Sequence, residues 1–260
     1  MVTRDTAWPA GTPCWVDLGV GDIAGASAFY GGLFGWDIQA GPPEAGGYSM
    51  CMVGGRAVAG IGPKMNADMP SFWTTYIASD DADATAAKVK AAGGQVMMEP
   101  FEVMDVGRMF VATDPAGAAF GVWQARAHTG VGLANEPGSL TWNENMSRDF
   151  EGNKAFYHEV FGYGYSDIGG GDMQYATLDL ADGPVGGIGG IGAEQPAEMP
   201  ANWLPYFAVA DTDAAVARAT QLGGSVIAPP WDTPYGRMAV VADDQGAVFA
   251  VMTSATPAES

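Results

Sequence analysis

The spacing of apolar residues changes along this chain in a fixed order, and the order recurs. Residues 15–20 alternate, placing Trp15, Asp17 and Gly19 on one side of an expected strand. Asp22 then stands where a helix N-cap belongs, and residues 24–34 carry Phe29 and Leu33 four apart on one helical face, widened by Phe34. Gly35 follows, a residue that enters the left-handed conformation without a Cβ clash and so ends a helix. Residues 48–53 and 57–61 predict two strands joined through Gly54-Gly55, with room for a short strand at 37–39. The cycle then restarts. A strand at 72–78 leads to the capping pair Asp80/Asp81, a helix at 82–92 and its stop at Gly93-Gly94. Strands follow at 95–98, 108–113 and 118–123, the last two across the turn Asp114-Pro115-Ala116-Gly117.

The second half repeats the first. AFYGGLFGW at 28–36 returns as AFYHEVFGY at 155–163, 127 residues later. GRMFVATDPAGAAFGVW at 107–123 returns as GRMAVVADDQGAVFAVM at 236–252. Between them come a strand at 142–146, the cap Asp149 and a hairpin of 174–180 with 185–191. A strand at 203–209 and a helix at 214–222 follow, then strands at 237–242 and 248–252. The expected organisation is a loose arm (1–11), a first domain (12–125), a linker (126–137), a second domain (138–253) and a fraying tail (254–260).

Composition narrows the partners. Thirty acids against 11 bases give a net charge of −19, which argues against nucleic acid, because phosphate binding rests on Lys and Arg. No run approaches 18 apolar residues, so no membrane span is expected, and the start MVTRDTAWPAG lacks a signal-peptide core; the expectation is a cytoplasmic protein. Glycine, at 38 of 260 residues, is about twice its usual share and marks many tight turns. Cys14 and Cys51 have no counterparts in the second half, where Thr141 and Leu178 stand, and read as two reduced, buried thiols.

Four strand–helix–strand–strand–strand units resemble the vicinal oxygen chelate superfamily of glyoxalase I, bleomycin-resistance proteins and extradiol dioxygenases. The residues that carry the resemblance are Asp22, Phe29, Tyr30 and Phe34–Trp36, the helix-ending AGG and LGG, and G-R…DPxG before a final strand. More narrowly the chain is similar to the tandem, glyoxalase-like branch often labelled hydroxylase. The resemblance implies an α+β fold of four βαβββ units paired into two glyoxalase-like domains, each a curved mixed sheet around a cavity. It also implies where metal ligands would stand: Trp15 and Trp142 on the first strand of each half, Thr74 and Leu204 before the second helix, Gly121 and Ala250 on the last strand, and a position near Gly60 or Gly187.

None of these suits a divalent cation. Indole N–H only donates, and such a site needs three or four N, O or S ligands converging on a point. The histidines are His128, in the expected linker, and His158, mid-helix; both read as solvated or locally bonded. The expectation is no metal and no cofactor. Alternation turns Asp17 and Glu144 to the side of Trp15 and Trp142, which makes these acids the candidate cation-binding or general-base groups. The competing reading pairs them with Arg108 and Arg237. Tyr76, Tyr206, Trp123 and Met252 would line the rest, and small residues at Gly121 and Ala250 would leave space.

PVGGIGGIG does not read as a strand-to-helix dinucleotide turn, and no Ser-His-Asp arrangement has support. Two functions stand out: a metal-free binder of a small, partly apolar molecule, or a lyase, isomerase or hydroxylase using the acids or an unusual metal site. A third, an interaction module without a cavity, also fits the fold. Either a monomer or a homodimer is compatible with paired domains.

Overall fold

The computed structural model describes residues 2–171 and 173–255. In chain order the first half forms β1 (Val2–Thr3), β2 (Pro13–Val20), α1 (Ile23–Phe34), β3 (Asp37–Ala40), β4 (Ser49–Val53) and β5 (Arg56–Pro63). It continues with β6 (Phe72–Ala78), α2 (Ala82–Ala91), β7 (Gln95–Val103), β8 (Gly107–Thr113) and β9 (Ala119–Ala125). After β10 (Leu133–Ala134) the order recurs as β11 (Leu140–Ser147), α3 (Phe150–Phe161), β12 (Gly164–Asp167), β13 (Tyr175–Leu180) and β14 (Gly183–Gly190). The chain then forms β15 (Asn202–Ala208), α4 (Thr212–Gln221), β16 (Ser225–Thr233), β17 (Gly236–Ala242) and β18 (Val248–Ser254).

The first three helices begin where the sequence places their caps, and α4 begins two residues before its expected start, behind Asp211. Asp22, Asp81, Asp149 and Asp211 each accept a hydrogen bond from the backbone N–H three residues on. α1 and α3 end at Gly35 (φ 71°) and Gly162 (φ 77°), where a side chain would be strained.

The strands form two mixed sheets. One runs β3-β4-β5-β2-β6-β9-β8-β7. The other repeats that order with β12-β13-β14-β11-β15-β18-β17-β16, and β10 and β1 extend it beside β11. In each sheet the first strands of two units, β2 with β6 and β11 with β15, meet antiparallel at the centre.

The helices do not respect the halves. α1 packs on α4, and α2 on α3. One aromatic core therefore joins Tyr30, Trp36 and Trp73 to Phe207 and Phe249, while a second joins Phe110 and Phe120 to Phe156, Tyr157 and Trp203. Each buried ring contributes about 2–3 kcal/mol of transfer free energy, so these cores account for much of the adhesion between halves. The two repeated phrases turn out to be each other's partners. Tyr30 Oη of the first phrase donates to Asp243 at 2.9 Å, and Tyr157 Oη donates to Asp114 at 3.0 Å. Both aspartates are buried, which pushes their pKa values up against the hydrogen bonds that hold the anion.

Three expectations need correction. The N-terminal arm is not loose: β1 pairs antiparallel with β10, Trp8 Nε1 donates to the Val131 carbonyl at 3.1 Å, and Gly11 N donates to Ala78 O at 2.9 Å. Within 126–137, Val131 and Leu133 are buried. β7 runs five residues past its expected end, and β16 lay outside the expected strands altogether. Both contain proline, which a sheet interior rejects, but both are edge strands with register shifts that accommodate it. The expected tail lies, from 256 on, outside the described residues. Cys14 and Cys51 are both buried and free, and burial pushes the Cys14 thiol up to about 12.

Candidate functional site

Pairing across the centre of each sheet assembles the candidate residues. In the first sheet Trp15 sits opposite Tyr76, Asp17 opposite Thr74 on one side and Gly60 on the other, and Tyr76 opposite Gly121. Directly paired residues share a face, so these side chains converge, with Trp123 two residues further along β9. Asp17 Oδ2 accepts from Tyr76 Oη at 3.0 Å and, more weakly, from Tyr48 Oη at 3.4 Å. Trp15 Nε1 donates to Tyr48 Oη at 2.9 Å.

The second sheet reproduces the arrangement. Trp142 pairs with Tyr206 and Glu144 with Leu204 and Gly187. Trp142 Nε1 donates to Tyr175 Oη at 3.0 Å, Tyr206 Oη donates to Glu144 Oε1 at 3.2 Å, and Tyr175 also bonds Glu144. Met252 lies beside Ala208 on β18, on the face of Ala250.

Both acids thus sit among hydroxyl donors rather than cations. Burial raises the pKa of Asp17 to about 7, against the hydrogen bonds from Tyr76, Tyr48 and Thr74 that favour the anion. Burial raises Glu144 in the same direction, opposed by Tyr175 and Tyr206. Tyr48, Tyr76 and Tyr206 are pushed well above the usual phenol range by burial first and by the neighbouring carboxylate second. A carboxyl group so placed can accept a ligand ammonium when ionised, or donate a hydrogen bond when protonated.

The arginines are elsewhere. Arg108 forms a two-pronged bond to Asp83 (2.9 Å each) and reaches Glu102, while Arg237 bonds Asp213 and Asp232. The pairing of Arg108 with Asp17 and of Arg237 with Glu144 is therefore not formed, because each arginine is claimed by acids on its own edge hairpin and at the start of the adjacent helix. The space expected beside Gly121 is also filled. A Cβ there would lie 2.2 Å from the Tyr76 ring, one on Gly60 1.8 Å from Tyr48 Oη, and one on Gly187 2.0 Å from Tyr175 Oη. These glycines let aromatic rings cross the sheet at close range.

Tyr48 and Tyr175 were missed as site residues, although they stand 127 residues apart, the spacing of the repeated helix phrase. His128 was misread. Its ring is packed edge-on against Trp15 (centroids 4.3 Å) and Trp123 (5.5 Å), and its buried Nε2 has no hydrogen-bond partner. Burial pushes its pKa down to about 4. His158 is locally bonded as read, Nδ1 lying 2.8 Å from Tyr163 O.

The residues present do not fit the metal that the fold implies. Tryptophan, threonine, leucine, glycine and alanine stand at its ligand positions, and tyrosine rings occupy the space in front of the glycines. Among the described residues no three His, Cys, Asp or Glu side chains cluster as a metal site. Two cavities lie nearby, the first touching the first face through Trp123. One of about 130 Å³ is lined by Trp8, Cys14, Ser79 and Gln124, and a groove of about 350 Å³ runs beside Lys88 and Glu159. Among the described residues no helix is long and apolar enough to cross a membrane.

Known proteins resemble this chain in sequence or fold. The chain is 46% identical over 254 residues to CFP32 of Mycobacterium tuberculosis (strain CDC 1551 / Oshkosh), provisionally named a glyoxylase, covering 94% of this chain and 95% of that one. It is 39% identical to the anthracycline biosynthesis protein DnrV of Streptomyces peucetius, covering 95% and 94%. Among solved structures, an Mn(II)-bound glyoxalase from Novosphingobium aromaticivorans matches with a TM-score of 0.65 at 19% identity, over 94% of this chain and 82% of that one. A trihydroxybiphenyl dioxygenase from Sphingomonas wittichii matches at 0.64 and 12%, over 95% and 91%. The sequence profile of one family matches residues 14–122 and again 144–251, and the chain belongs to that family, the glyoxalase/bleomycin resistance protein/dioxygenase superfamily.

Proposed function

We propose that this protein binds a small, partly apolar organic molecule without a metal, on the tryptophan–acid–tyrosine face of a sheet that curls around the ligand. The observation that carries this reading is the constellation itself. Trp15, Asp17, Tyr48 and Tyr76 recur as Trp142, Glu144, Tyr175 and Tyr206, around the positions where metal-using relatives would place ligands. Indole and phenol rings offer stacking surfaces to a planar ligand, and a carboxyl group without a protein cation offers one polar anchor. The likeness to a protein named for anthracycline biosynthesis supports a planar, polycyclic ligand class. The functional units are residues 12–125 and 138–253, in a cytoplasmic monomer or homodimer.

Calorimetric titration with a series of planar aromatic amines and their neutral analogues tests this. Saturable binding that weakens at least tenfold in Glu144→Gln or Asp17→Asn supports it. Absence of binding across the series, or binding indifferent to both acids, refutes it.

A second reading has one observation in its favour. Asp17, raised to about 7, is matched to proton transfer near neutral pH, as a general base in a lyase, isomerase or hydroxylase would be. Unchanged turnover of a candidate substrate by the Asp17→Asn, Glu144→Gln double variant would remove it.

A further inference from the structure

We infer that the two faces are unequal: His128 occupies the ligand position of the first, and the chain binds one molecule, on the second. This rests on the binding reading above and adds which face works and what closes the other.

The His128 backbone is held from both sides. His128 N donates to Val106 O at 3.0 Å, and its carbonyl accepts from Trp123 Nε1 at 2.9 Å. The ring therefore projects onto the face shared by Trp15 and Trp123, in edge contact with both indoles, which is how a small aromatic ligand would lie. Nothing in the protein bonds its Nε2, although that atom is buried. A group whose only role was to fill a core would ordinarily be apolar or satisfied, because an unpaired buried polar atom is costly. The result is that both indoles are covered, Trp15 being 3% and Trp123 6% exposed.

Among the described residues the second face has no such plug. The 129-residue spacing of the GRM phrases puts the counterpart of His128 at Pro257, outside the described residues, and proline carries no imidazole. Trp142, Glu144, Tyr175 and Met252 all remain half-buried. Beside them the β16–β17 hairpin carries two exposed rings, Trp231 (38%) and Tyr235 (57%). Tyr235 lies close enough for its hydroxyl to influence Tyr175 electrostatically. The first hairpin has Glu102 and Val106 at those places in the repeat, so an aromatic rim belongs to the second face alone.

The test is the stoichiometry of 9-aminoacridine, a planar fluorescent cation, titrated into the full chain in 0.3 M salt so that the −19 surface charge is screened. The expected result is one probe per chain in the wild type, with affinity falling at least tenfold in Trp142→Ala. His128→Gly should bind two, and His128→Phe, which keeps the first face filled, should bind one. Circular dichroism of each variant confirms its fold. Two probes per wild-type chain, or one per His128→Gly chain, overturns the inference and leaves the binding reading standing. No binding by any variant overturns the binding reading, and the inference with it.

Discussion

Replacing Asp17 by asparagine should stabilise this protein at alkaline pH. The carboxyl group accepts from Tyr76 and Tyr48 but has no cation beside it, and burial raises its pKa from 3.8 to about 7. The folded state therefore holds the proton more tightly than the unfolded state. The contribution to stability is complete below about pH 4 and is lost as the pH rises through about 7. At 1.36 kcal/mol per pH unit the full loss is about 4 kcal/mol, and the partial solvent contact of Asp17 reduces it to about 2–4 kcal/mol. Asparagine keeps an acceptor oxygen for Tyr76 and never ionises. Urea unfolding at pH 8.5 should give Asp17→Asn a stability about 2–4 kcal/mol above wild type, and the gap should close to under about 1 kcal/mol at pH 4.5. An asparagine variant less stable than wild type at pH 8.5 would refute the argument. It would mean that the tyrosine hydroxyls bind the carboxylate strongly enough to outweigh its desolvation.

Other perturbations probe other parts of the architecture. Tyr157→Phe removes one donor to Asp114 and strands Trp203 Nε1, now 2.7 Å from the hydroxyl, so denaturant unfolding should show a loss of about 3 kcal/mol. Gly121→Ala forces a methyl group into the Tyr76 ring and should cost about 1–3 kcal/mol in the same assay. His128 is kept neutral by burial, with a pKa of about 4 against an ordinary 6.5, so stability should fall as the pH drops from 6.5 through 4. His128→Phe should flatten that limb of the pH profile, and an unchanged limb would place the imidazole in solvent. Arg108→Gln, remote from Asp17, should leave probe affinity unchanged and shift the denaturant midpoint little, because its partner Asp83 is exposed and solvent screens the pair.

What the sequence reveals is local order. Helix caps, glycine stops and the repeat are short-range signals, and the four units are found where those signals place them. Strand alternation also suffices to bring Trp15 together with Asp17, and Trp142 with Glu144. Pairing between distant segments is not legible in the same way. Periodicity marks Phe29 and Phe34 as one packing face without saying that the ring against both is Phe249, because an apolar face specifies burial and not a partner. Arg108 illustrates the limit of position-matching. Recurrence in both halves made it a candidate for the recurring acids, but Glu102 on its own edge hairpin and Asp83 at the start of α2 hold it. Gly121 reads as space in the sequence, whereas a small residue in a sheet equally admits a neighbour's ring, here that of Tyr76.

The exchange of helices between halves sets a timetable for synthesis. When residue 34 has been made, α1 presents Phe29, Tyr30 and Phe34 to a partner that does not yet exist. Phe249 and Asp243, which cover them, lie more than 200 residues downstream. At about 5–20 residues per second the ribosome takes about 10–40 s to reach them. The first sheet can pair its strands during that interval, but its outward aromatic surface waits uncovered until nearly the last strand emerges. Slowing elongation late in the message lengthens the exposure of that sticky surface, so yield of the folded chain depends on chaperone supply and on the speed of translation through the final quarter.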